Sequence, residues 1–302
     1  MGGELAIEIN PGAELTLNGL LIAGGALRVT PGSGSGKRIL RLRHCTLVPG
    51  LALTRTGEPV SPDAPSLLID APDTTVEIES CILGGIRTER SAEVNIENSV
   101  VDATAAVRVA FSNADGESAG GFLTIKNSTI IGKIHASRMD LVSNTIFVAA
   151  LATGDAWDHA IISDQNQQGC VRFSYVPPGS IVPRCYRCQP EYAVTNAIAA
   201  ADKPKGSVGI AEQAAIIAGV QARVRPAFTG LRYGQAEYVQ LAAFAPKEIR
   251  QGADDESEMG ALHVPKPIRS GNDGLEDVIS ERSHSVRDRE LTTIPMMWTV
   301  RN

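Results

Sequence analysis

Apolar and polar positions alternate through the first half of the chain in short runs, each broken by a small polar pair. Leu123 to Gly132, LTIKNSTIIG, is the clearest run. Its period of two sends Leu123 and Ile125 to one face and Thr124 and Lys126 to the other, the pattern of a strand with one buried face. Asn127-Ser128 then bends the chain, and Ile130 turns inward again. The same pattern starts at Leu15 (LTLNGLLIAG), Leu40 (LRLRHCTLVP), Val76 (VEIESCILGG), Val94 (VNIENSVVDA) and Met139 (MDLVSNTIFV). Four columns recur together, so this is a repeat rather than chance alternation. SLLIDA at 66–71 reads as a further, weaker strand inside the long interval between Leu40 and Val76.

Strand repeats with loops of unequal length predict an all-β chain. The expected fold is a right-handed parallel β-helix, a β-solenoid, with a less regular C-terminal region. The coils are expected over residues 1–150. An irregular β-rich region that continues or caps them is expected over 151–265, and a polar tail over 266–302. Stacking places equivalent repeat positions one above another. The bend columns then form a ladder that includes Cys45, Cys81, Asn98, Ser99, Asn127, Ser128 and Asn144, where small polar side chains bond to backbone groups along the axis. On this reading Cys45 and Cys81 are buried fillers, His44 is a turn residue, and the sequon at Asn127-Ser128-Thr129 is part of the ladder. ELAIEI already alternates at the N-terminus, so another chain is expected to cover that end, or the sequence is a piece of a longer protein.

The 302 residues are 43% hydrophobic but only 4% aromatic, so Val, Ile, Leu and Ala must fill the core. The formal charge is −6 without a long basic run, which disfavours a nucleic-acid partner. No apolar run reaches the roughly 18 residues of a membrane span. No signal peptide is recognisable either, so cytoplasmic synthesis is expected, with a place in an extracellular or particle assembly left open.

The second half offers two groups of candidate ligands. Cys185 and Cys188 have a C-x2-C spacing, with Cys170 upstream and His159 as a conceivable fourth partner. A structural zinc, a disulfide and unpaired thiols all remain open for them, and no other cofactor is expected. Asp254, Asp255, Glu256 and Glu258 form an acidic cluster that reads as a solvated turn rather than a calcium site. GIAEQAAIIAGVQARV, within an Ala-rich stretch, reads as a short helix or a surface segment, and the apolar end LTTIPMMWTV as a docking strand.

The segments FVAALATGDAWDHAIISDQNQQGCVRFSYVPPGSIVPRCYRCQP and EIRQGADDESEMGALH, with LTLNGLLIAGGALRV and RLRHCTLVPGLAL, resemble a family of uncharacterised bacterial proteins. That resemblance covers most of residues 1–263. It implies a larger multidomain parent associated with phage-tail-like gene clusters, and no assigned activity.

Three functions compete. A non-catalytic structural or binding module, a component of a phage-tail-like or cell-surface assembly, would meet other protein subunits or itself through the solenoid ends. The alternative is a carbohydrate-active enzyme, a polysaccharide lyase or glycoside hydrolase, acting on a glycan. Its candidate carboxylates are Asp70, Asp73, Asp102, Asp140, Asp155, Asp158, Glu77, Glu79 and Glu97. The only rings in residues 1–150 are Phe111, Phe122 and Phe147, which argues against a long glycan groove. No catalytic residue is assigned. A polymer-forming solenoid is the third reading, weakened by repeat starts that are unevenly spaced.

Overall fold

The computed structural model describes residues 3–263. The polar tail and LTTIPMMWTV lie outside them. The repeats form strands in threes. The first set is β1 (Leu5–Ile9), β2 (Glu14–Asn18) and β3 (Leu21–Ile22), and the second is β4 (Leu27–Pro31), β5 (Arg38–Arg43) and β6 (Thr46–Leu47). Next come β7 (Pro65–Ile69), β8 (Thr74–Glu79) and β9 (Ile82–Leu83), then β10 (Gly85–Thr88), β11 (Glu93–Glu97) and β12 (Val100–Asp102). β13 (Val109–Ser112), β14 (Gly120–Lys126) and β15 (Thr129–Ile131) precede the long β16 (Lys133–Ser143) and β17 (Ile146–Val148). β7 contains most of the weaker strand expected at 66–71.

All pairings between these strands are parallel. One sheet runs β1-β4-β7-β10-β13-β16-β14-β11-β8-β5-β2, and a second runs β17-β15-β12-β9-β6-β3. The repeat starts are register partners: Leu15 faces Leu40, Leu40 faces Val76, Val76 faces Val94, Val94 faces Leu123, and Leu123 faces Met139. The inward columns make the core. Leu40, Val76 and Leu123 come from one arm of the large sheet, Leu27, Leu67 and Ile86 from the other, and Leu47, Leu83 and Phe147 from the second sheet. All nine are 2% exposed or less, and each such burial contributes about 1.5–3 kcal/mol, which fixes the facing of every strand.

The large sheet departs from the expected architecture. β16 spans 11 residues and serves both arms. Lys133 and Ile134 pair with β13, while Ala136 to Ser143 pair with β14. The arms therefore join into one curled sheet of eleven strands along its path, nearly barrel-shaped, with the second parallel sheet beside it. The chain is not all-β either. After β18 (Ile161–Ser163), β19 (Cys170–Arg172) and β20 (Cys185–Tyr186) come the helices α1 (Glu191–Lys205), α2 (Ile210–Arg223) and the short α3 (Lys247–Arg250). These findings overturn the right-handed parallel β-helix, or β-solenoid, and point to a barrel-like fold of the α/β kind. The physical reason is that period two specifies which side chains face inward, whereas the lateral closure of a sheet depends on which strand spans two neighbours.

The segment that follows α2 packs on the outer face of the second sheet. Val224, Ile249 and Met259 cluster with Ile146 and Tyr175, and Val239 with Val100 and Ile131. Residues 224–263 thus act as a strap over that sheet.

Candidate functional site

From Cys45 to Ser128 the residues expected at the bends form a hydrogen-bonded column. At each bend one residue takes the left-handed conformation: His44, Ser80, Asn98, Asn127 and Asn144 have φ between 46° and 53°. Asn tolerates this region better than most side chains, which explains its recurrence there. The next residue turns its hydroxyl or thiol back onto the carbonyl two positions earlier. Ser99 Oγ donates to Glu97 O at 2.7 Å, Ser128 Oγ to Lys126 O at 2.6 Å, and Cys81 Sγ to Glu79 O at 3.2 Å. The same atom accepts the N–H of the neighbouring level. Cys45 N donates to Cys81 Sγ at 3.3 Å, Cys81 N to Ser99 Oγ at 3.0 Å, and Ser99 N to Ser128 Oγ at 3.1 Å.

The column runs further than the repeat pattern indicates. The register shifts after Leu123, leaving Asp140 unmatched on β14. The bend of the last copy is therefore Asn144-Thr145 rather than Ser143-Asn144. Thr145 N donates to Ser174 Oγ at 3.0 Å, and Cys188 Sγ reaches Tyr186 O at 3.7 Å. Phe173 and Arg187, the bend residues before Ser174 and Cys188, also have positive φ. The usable signal was a hydroxyl or thiol two residues after a strand end. It was obscured where Phe and Arg replaced Asn at the bend.

Cys45, Cys81, Cys170, Cys185 and Cys188 are all free thiols. Among the described residues no group of three or more His, Cys, Asp or Glu side chains is arranged to hold a metal ion. Cys170 opens β19, and His159 Nδ1 lies 2.6 Å from Gly179 O. Their mutual contact moves the Cys185 and Cys188 thiols in opposite directions, Cys185 up and Cys188 down.

Arginines hold four of the nine candidate carboxylates, Asp70, Glu77, Glu79 and Asp140. Arg41 lies between Glu14 and Glu77, at 2.5 and 2.7 Å. Arg28 joins Glu4 and Asp70, Arg43 meets Glu79 at 3.2 Å, and Arg138 meets Asp140 at 2.5 Å. Asp155 is clasped by Lys133 at 2.7 Å, beneath the Trp157 ring. Asp73, Asp158 and Glu97 are exposed. Asp102 is buried. It accepts from Tyr238 Oη at 2.8 Å and from Thr104 N at 2.7 Å, and burial raises its pKa. The acidic cluster is not uniformly solvated. Asp254 accepts from Asn144 Nδ2 at 2.9 Å, and that same amide donates to Asn127 Oδ1 at 3.0 Å, so the strap is tied to the bend column.

The remaining feature is an edge. Both ends of the large sheet's path, β1 and β2, and one end of the second sheet, β3, belong to the same first set of strands. Each has a paired neighbour on one side only. Leu5, Leu20 and Leu21 stand 46%, 43% and 63% exposed there. Leu15, Leu17 and Ile22 are only partly buried against the core.

Comparison of the chain with family models, with curated proteins and with solved structures gave no match, so the functional reading rests on these residues. No helix among the described residues is long and apolar enough to cross a membrane.

Proposed function

We propose that the protein is a non-catalytic structural or binding module that joins another polypeptide through the edge formed by β1, β2 and β3. One observation carries this reading: three unpaired strand edges coincide with a cluster of exposed leucines. Unpaired N–H and C=O groups in a row are a template for a further strand, and apolar side chains beside them reward its addition. Edges that must stay free of partners are usually guarded by lysines, prolines or bulges. The five residues of β1 and the five of β2 include no Lys and no Pro. The arginine-held carboxylates fit the same reading, because a charged outer face of paired ions keeps the rest of the surface solvated.

Site-specific photo-crosslinking in the source cells tests this. A photoreactive residue at Leu21 should capture a discrete polypeptide. The same residue at Phe244, which is 83% exposed on the strap, should not. Equal labelling at both positions, or none at Leu21, would refute the proposal.

A further inference from the structure

We infer that a recess on the outer face of β10 is a binding site for a small carboxylate, held by the guanidinium of Arg87. Ile86 points into the core, so its neighbours Gly85 and Arg87 face outward. They meet a recess of about 210 Å³ whose wall includes Asp63, Ala103, Val107, Arg108 and Val109.

Arg87 is only 7% exposed. Its two hydrogen bonds both leave from Nη1, to Ile86 O at 3.0 Å and Val109 O at 3.2 Å. Nε and Nη2 are left to whatever fills the recess. No carboxylate among the described residues lies within salt-bridge distance of it. Asp115 acts on it only through space, and burial lowers its pKa to about 10.

Arg38 shows how this fold treats an arginine whose role is structural. It is 1% exposed, and all three nitrogens are used: Nε to Ile9 O, Nη1 to Gly36 O and Pro72 O, and Nη2 to Gly34 O. Arg87 lacks that saturation. A buried cation without a counter-ion is costly and is ordinarily paired.

The surroundings narrow the ligand. Arg108 is already bound to Asp63, Nε to Oδ1 at 2.8 Å, so the recess holds one net positive charge. A monoanion balances it and a dianion does not. The free face of a guanidinium matches a carboxylate's two oxygens. Ala103, Val107 and Val109 supply an apolar wall for a short body. Gly85 keeps the space open, since a Cβ there would fall 2.9 Å from Val109 O and 3.3 Å from Arg87 Nη1. This site is separate from the β1-β2-β3 edge and does not depend on it.

The test is an NMR titration of the whole protein with butyrate, with inorganic phosphate and chloride as separate arms at matched ionic strength. Butyrate should saturate, shifting the amides of Gly85, Arg87 and Val109, while chloride has no effect and phosphate binds more weakly. Arg87→Met should weaken butyrate binding roughly tenfold or more. It should leave the melting temperature unchanged or higher, because the unpaired cation is gone. Val107→Trp fills the mouth while keeping Arg87, and should also abolish binding, so the proposal stays testable if Arg87→Met does not fold. Absence of saturation by butyrate, or binding unchanged in the folded variants, overturns the site. Tighter binding of phosphate than of butyrate overturns the carboxylate assignment.

Discussion

Asp102 carries a conflict within a single side chain. Its burial favours the neutral acid, while Tyr238 Oη and Thr104 N favour the anion, and burial prevails. A carboxyl whose folded pKa lies above its ordinary value stabilises most at acid pH. That contribution is lost as the pH rises through the folded value. Asp102→Asn removes the charge and keeps Oδ1 for Thr104 N, while its Nδ2 replaces the oxygen at Tyr238 Oη, a hydroxyl that can accept as well as donate. Its stability at neutral pH should equal or exceed the parent's, and the acid-to-neutral slope should flatten. Tyr238→Phe removes the hydroxyl that donates to Asp102 Oδ2 and should cost about 1–3 kcal/mol. Urea unfolding at acidic and neutral pH distinguishes the two. A large loss in Asp102→Asn would mean that the charge itself holds the strap.

At the scale of elements, the bend column explains why sulfur and oxygen exchange freely along it. Cys81, Ser99 and Ser128 each give one hydrogen bond to their own level and take one from the neighbouring level, and the thiol does both at longer range. Ser128 is fully buried and accepts from Ser99 N. Ser128→Ala should therefore strand a buried N–H and cost about 1–3 kcal/mol. Ser128→Cys should cost clearly less, because Cys45 and Cys81 already fill sister positions. Denaturant midpoints of the two variants decide the point, and equal losses would show that only packing matters at this position.

At the scale of the molecule, the strap closes over the second sheet and contains its own pH-sensitive contact. Burial pushes Glu258 up to about 7, with Arg250 opposing the shift. The ordinary value is 4.5, so its contribution to stability is complete below that value and is lost as the pH rises through about 7. The strap should loosen on the alkaline side. Hydrogen exchange reports this at Gly260 N, bonded to Asn144 O, and at Ala261 N, bonded to Thr129 Oγ1. Both should exchange faster than the intrinsic base-catalysed rate predicts as the pH passes neutrality. Glu258→Gln should remove the excess; if the excess persists, the strap is governed by another group.

The sequence alone determined the inward columns, since alternation between apolar and polar residues decides burial strand by strand. It also located the bends, because Asn, Ser and Cys suit a left-handed turn with a backbone-seeking side chain. The aligned starts Leu15, Leu40, Val76, Val94, Leu123 and Met139 are that information made visible. The tertiary structure decided the rest. It joined the two arms through β16 into one curled sheet. It turned Asp140 into an unmatched residue and Asn144 into a link to Asp254. It set Arg87 against a recess without an acid, and gathered three strand edges at one end. These features depend on closure and on contacts between residues far apart in the chain, and a local period of two is blind to both.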